Sequence, residues 1–159
     1  MDKTPVLGIL ERGRDGKPNR VRAVVVKNVS KRQLHKNIHD TIERGANLYT
    51  DTSYQYANAK GIRAFFKHEA INHAKEYVRG QVHTNSLENF WSLLKRAIKG
   101  TYVSVDPFHL FRYVDEQVRR FNERTSNDRQ RFVSVLADIV GRRVTYRGLT
   151  GADLKPATT

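Results

Sequence analysis

The chain has 159 residues, the size of one domain, and its 38% hydrophobic and 28% charged residues can fill a modest core and do not suit a disordered chain. Its 29 lysines and arginines against 16 acids leave a formal charge of +13, which favours an anionic partner, nucleic acid first. The absence of cysteine and of any long apolar run excludes disulfides, thiolate metal sites, thiol redox chemistry and a membrane-spanning helix. The N-terminal residues lack the basic region and apolar core of a signal peptide, so an intracellular protein is expected.

Pro5 to Leu10 reads as a short strand, Gly13 to Asn19 (G-R-D-G-K-P-N) as a turn, and Val21 to Val26 as a second strand, together a β-hairpin with a long loop. Ser30 is placed to cap a helix over Lys31 to Glu43, where Leu34, Ile38 and Ile42 fall four apart and Gly45 closes the element. His35 and His39 also fall four apart, a spacing metal ligands use, but no glutamate accompanies them and solvated helix histidines are expected. Ala46 to Thr50 reads as a buried strand followed at once by Asp51. Strand, helix and strand suggest an α/β unit with this strand parallel to an earlier one. Ligands of such sheets lie beyond the carboxyl ends of strands, which favours Asp51, although Asp-Thr-Ser also begins many turns. Ile62 to His68 could form another short strand, and the polar stretch Glu69 to Gln81 has no clear assignment.

The stretch His83 to Lys99 organises the rest. Leu87, Phe90, Trp91, Leu94 and Ile98 make one apolar stripe of a helix ended by Gly100. Glu88 and Lys95 are seven positions apart, two turns, and stand together at the edge of that stripe. A carboxylate and an ammonium so placed could serve a metal and a phosphate. Asn85 as N-cap with Glu88 as its capping-box partner, and Lys95 as a solvated lysine, account for the same residues without chemistry. Asp106-Pro107 can start a further helix with Leu110, Phe111, Val114, Val118 and Phe121 apolar and Arg112, Arg119, Arg120 and Arg124 beside them, until Asn122 breaks it. A last helix is expected from Asp128 to Val140 with Phe132, Val135, Leu136 and Ile139 inward, then a small strand over Arg142 to Tyr146. This gives one domain over residues 1–149 and a loose tail over 150–159.

Paired divalent ions in phosphodiester chemistry need carboxylates gathered from separate elements, and Mg²⁺ suits such hard oxygen ligands. Asp51 and Glu88 qualify. A third acid from an early strand would complete the set, and Asp2, Glu11 and Asp15 do not follow a convincing first strand.

Several stretches resemble the ISXO2-like transposases of the IS1595 group: K-T-P-V-L-G-I-L-E-R-G (Lys3 to Gly13), L-Y-T-D (Leu48 to Asp51), E-Y-V-R-G-Q-V-H-T-N-S-L-E-N-F-W-S-L-L-K-R (Glu76 to Arg96) and G-T-Y (Gly100 to Tyr102). H-L-F-R-Y-V-D-E (His109 to Glu116), R-F-N-E-R (Arg120 to Arg124) and R-F at Arg131 and Phe132 continue the likeness. The resemblance implies an α/β, ribonuclease-H-like fold, a mixed sheet flanked by helices, that cuts and transfers DNA strands at transposon ends with Mg²⁺, or Mn²⁺ in its place. It implies Asp51 as the second catalytic acid, Glu88 as the helix acid, and Lys95 near the reacting DNA end. Arg96 and Lys99 are expected to contribute to DNA binding, with Asn85 and His83 in support. Transposon-end and target duplexes are then the partners, a homo-oligomer is an open option, and the bacterial cytoplasm, on the nucleoid, is the setting.

In that family the first catalytic aspartate lies on the first strand, upstream of the K-T-P-V stretch. The expectation is therefore that the first strand and its aspartate are missing here, that cleavage is impaired and that Mg²⁺ binds weakly. A non-catalytic basic DNA-binding protein or an inactive transposase remnant is the alternative; charge alone also allows an RNA-associated basic protein, but its usual aromatic-plus-basic platform is not evident in the sequence. The strands at 5–10, 21–26 and 46–50 are expected to share one sheet, with the helix from Ser86 to Lys99 packed across it and Trp91 largely buried. Asp51 and Glu88 are expected to face one cleft.

Overall fold

The computed structural model describes residues 4–53, 56, 60–71 and 85–151. Strands β1 (Val6–Glu11) and β2 (Arg20–Val25) form the expected antiparallel hairpin, with Val6 opposite Val25 and Glu11 opposite Arg20. Asp15 and Gly16 turn the connection with positive φ angles of 53° and 77°, and Lys17 N–H bonds Arg14 C=O at 3.0 Å. An Asp-Gly pair suits that geometry because both residues tolerate the left-handed region. Helix α1 (Lys31–Thr41) follows, capped by the Ser30 hydroxyl, which accepts from Gln33 N–H. Gly45, at φ 83°, lies in the turn that leads on to strand β3 (Asn47–Asp51).

Helical turn α2 (Lys60–Arg63) precedes strand β4 (Lys67–Ile71), which pairs parallel with β3, Asp51 lying opposite Ile71. Two expectations change here. Residues 60–63 are helical, so the strand expected from Ile62 begins only at Lys67. The parallel partner of β3 is a later strand, not an earlier one. Among the described residues the strands form two two-stranded sheets, so 46–50 does not join 5–10 and 21–26 in one.

The two sheets are held together by side chains. Leu34 of α1 packs with Leu7 and Val26 of the hairpin, while Ile38, one turn on, packs with Ile62, Phe66 and Leu48 of the parallel unit. One apolar face of α1 thus covers both sheets, and Tyr56 packs against both clusters. Arg12, just past β1, lies over the Tyr49 ring of β3 at 5.0 Å from its centre.

The opposite face of the hairpin carries the largest core. Val21 and Ala23 of β2 meet Phe90 and Leu94 of α3 (Asn85–Arg96) and Val114 and Phe121 of α4 (Leu110–Asn122). Alternation decides this: Arg20, Arg22 and Val24 are exposed between the buried positions. Leu87, Trp91 and Ile98 pack at the margin as the stripe requires. Trp91 packs against this core and covers the strand at a glycine: a Cβ on Gly8 would fall 2.5 Å from its ring. Past Arg96 the chain continues as a π-helical turn, Ala97–Thr101, so Gly100 lies within it and does not end the helix.

Helix α5 (Asp128–Ile139) forms where expected, capped by a reciprocal Asn127–Gln130 pair. Its apolar residues Phe132, Val135, Leu136 and Ile139 are exposed, however, and not inward. The last element is a short helix α6 (Tyr146–Thr150) capped by Thr145, and no strand forms over Arg142 to Tyr146. The expected tail beyond residue 151 and the unassigned stretch over 72–81 lie outside the described residues. No described helix is long and apolar enough to cross a membrane.

Candidate functional site

Asp51 closes β3 at the carboxyl end of the parallel pair and is exposed. Its Oδ1 accepts the Ser53 N–H at 3.1 Å, the turn role a strand-end aspartate commonly takes. That bond occupies one oxygen and fixes the carboxylate direction. Directly before it, Thr50 is buried, 8% exposed. Its Oγ1 lies 2.9 Å from His68 Nε2 and 2.9 Å from Asp51 C=O. One hydroxyl proton serves only one of these. With it on the Asp51 carbonyl, His68 presents Nε2–H to Thr50. Burial, and then the Arg63 charge, lower the His68 pKa from its ordinary value, so the ring is neutral near pH 7. Tyr56 packs against both of the clusters that α1 joins and feels the Asp51 charge. Burial first, and then the Asp51 charge, raise its pKa, so its phenol keeps its proton.

Glu88 lies in the first turn of α3 and Lys95 and Arg96 in its last, all exposed, with exposed Lys99 in the π-helical turn. The apolar stripe fixes this arrangement. With Phe90 and Leu94 buried against β2, Glu88 and Lys95 must emerge on the solvent side. Seven residues separate them by about 10 Å along the axis, too far for a direct ion pair. The acidic residue lies at the positive end of the helix dipole and the basic residues at the negative end, the favourable order for both. The start of α3 is tied to the hairpin loop: Asn19 Nδ2 donates to Ser86 Oγ at 3.1 Å, and Asn19 Oδ1 accepts Gly13 N–H at 2.9 Å. Asn85 is the first residue of α3. Its side chain and His83 lie outside the described residues, so the capping box and the support expected of this pair do too.

The two acids therefore stand on different units, Asp51 on the parallel pair and Glu88 on the helix covering the hairpin. Among the described residues no group of three or more histidines, aspartates and glutamates gathers to hold a metal ion. Asp51 and Glu88 are the right chemical kind for a hard cation, but two carboxylates supply at most four of the roughly six oxygens it takes. The described donors do not make a complete magnesium site. Of the histidine pair of α1, His39 packs edge-on against Phe65, ring centres 4.8 Å apart.

Three positioning residues were not singled out from the sequence for these roles. Thr50 and His68 hold the strand end, and nothing in either stretch marks the pair because it forms across the ladder. The third is Asn122, expected only to break its helix. It donates from Nδ2 to Val21 C=O at 2.9 Å and accepts Val21 N–H on Oδ1 at 2.7 Å, so its amide pairs with the outer edge of β2 as another strand would. Arg124 adds a bond to Asn19 C=O at 2.9 Å. Both residues fall in the R-F-N-E-R stretch, which was the available signal.

These elements, from the hairpin through α4, are the extent of a known domain. A family model for the ISXO2-like transposase domain matches residues 1–122, and the chain belongs to that family. No curated protein and no solved structure matches it.

Proposed function

We propose that this transposase domain grips double-stranded DNA through its basic surface and contributes Asp51 and Glu88 to strand cleavage and transfer at transposon ends. The observation that carries the reading is the setting of Asp51. It closes a parallel strand pair, where ligands of α/β sheets bind, and its backbone is braced by Thr50 and His68. Membership of a transposase family supports a chemical role for that place. In this reading the fold is ribonuclease-H-like, Asp51 and Glu88 face one cleft, and Mg²⁺ or Mn²⁺ is the ion they bind. Lys95 contacts DNA near the reacting end, and Arg96 and Lys99 hold phosphates beside it. Binding of this kind would keep the protein on the bacterial nucleoid.

Two metal ions in phosphodiester cleavage activate the attacking oxygen and stabilise the leaving one, and holding both needs more than two carboxylates. The chain alone is therefore expected to bind the ion weakly and to nick DNA only slowly. A non-catalytic DNA-binding domain is the second reading, and the basic surface is enough for it.

A plasmid-nicking assay in Mn²⁺ separates the two. Slow, metal-dependent nicking abolished by Asp51→Asn and by Glu88→Gln is the outcome expected if the acids act. DNA binding with no nicking selects the non-catalytic reading. Nicking that survives both substitutions would overturn the assignment of the acids.

A further inference from the structure

Helix α5 has its polar face inward. Arg119 of α4 binds Asp138 at 2.7 Å and Ser134 at 2.7 Å, and Ser134 donates to Glu123 at 2.8 Å. Arg131 reaches the backbone carbonyls of Glu123 and Arg124, each at 3.2 Å. Arg131, Ser134 and Asp138 share one face, and these bonds hold it against the end of α4. About 100° around the helix lie Phe132 and Ile139, with Val135 and Leu136 on either side. Phe132 is 64% exposed, Ile139 56%, and Val135 and Leu136 42% each. The sequence pattern of an amphipathic helix is intact, but the apolar face has no partner within the described chain.

We propose that this face docks a second copy of the chain, α5 against α5. Charge is the first argument. Residues 128–139 hold two arginines and two aspartates, a neutral segment in a chain of +13. Such a segment has no surplus positive charge to draw phosphates, and two copies can approach there without the repulsion the rest of the surface would impose. Area is the second. The patch exposes on the order of 500 Å² of apolar surface, so a two-fold pair would remove about 1,000 Å², the size from which specific interfaces begin. A two-fold contact is self-complementary, so one patch per chain suffices. The family match ends at residue 122, so this surface lies outside the matched region and the proposal does not depend on the DNA-cleavage reading.

Light scattering tests it. At about 100 µM, a level suited to an interface of this modest size, the chain should show twice its 18.4 kDa mass. The double variant Phe132→Glu, Ile139→Glu should return to a single mass with its helical circular dichroism unchanged, since both side chains are already exposed. The chain has no cysteine, so a lone thiol reports one position. Leu136→Cys should be captured as a dimer by a short thiol cross-linker, and Lys17→Cys, in the hairpin turn, should not. A single mass at every concentration, a double variant that still pairs with native circular dichroism, or a mass that climbs past the dimer would overturn the proposal.

Discussion

At Asp51 the neighbouring hydroxyl and imidazole decide how the carboxylate is presented. Thr50 and His68 are diagonal neighbours on one face of the parallel ladder, since Thr50 lies opposite Ala70. Their contact is buried enough to lower the His68 pKa from 6.5. A histidine whose folded pKa is depressed binds fewer protons than the unfolded chain, so stability is complete above the unfolded value and falls as pH drops through the folded one. The protein should therefore lose stability as pH falls below about 6.5. His68→Gln, which keeps a donor for Thr50, should flatten that part of the curve in urea titrations at stepped pH. An unchanged curve would remove His68 as its source. Asp51 itself was legible because an aspartate directly after a short apolar run sits at a strand end by construction. The histidine beneath it was not, because 18 residues separate it from Thr50 and only strand register brings them together.

Among the elements, hydrophobic spacing located α1, α3, α4 and α5 and the hairpin to within a few residues. What spacing cannot say is which neighbour receives an apolar face. For α3 the neighbour is the hairpin, and Gly8 is the reason Trp91 fits there. For α5 the same kind of stripe faces out, and it is Arg131, Ser134 and Asp138 on the other face that are tied to groups on and just beyond α4. Asn122 shows the reverse, a polar residue that joins α4 to β2 by closing the outer edge of the strand. Asn122→Leu leaves the Val21 N–H and C=O without their partner and should cost about 2–4 kcal/mol, the range for two part-buried backbone groups. Chemical denaturation checks this. A loss below about 0.5 kcal/mol would mean water replaces the amide at no cost.

At the scale of the molecule, the expected single sheet is two sheets among the described residues, joined by α1, Tyr56 and the Arg12–Tyr49 contact. Short strands such as A-N-L-Y-T carry an alternation that fixes a face but not a partner, so the sheet they join was not readable from them. Net charge needs no such pairing and was readable at once. It bears on the central claim, that this member of the transposase family is a DNA-binding domain whose helix α3 presents basic residues to the phosphates. The direct measurement is duplex-DNA affinity as a function of salt, for the native chain and for Lys95→Ala. Phosphate contacts release counterions, so affinity should fall steeply with salt, and removing Lys95 should lower the slope by about one unit. Binding that does not change with salt, or a slope that Lys95→Ala leaves untouched, would contradict the account.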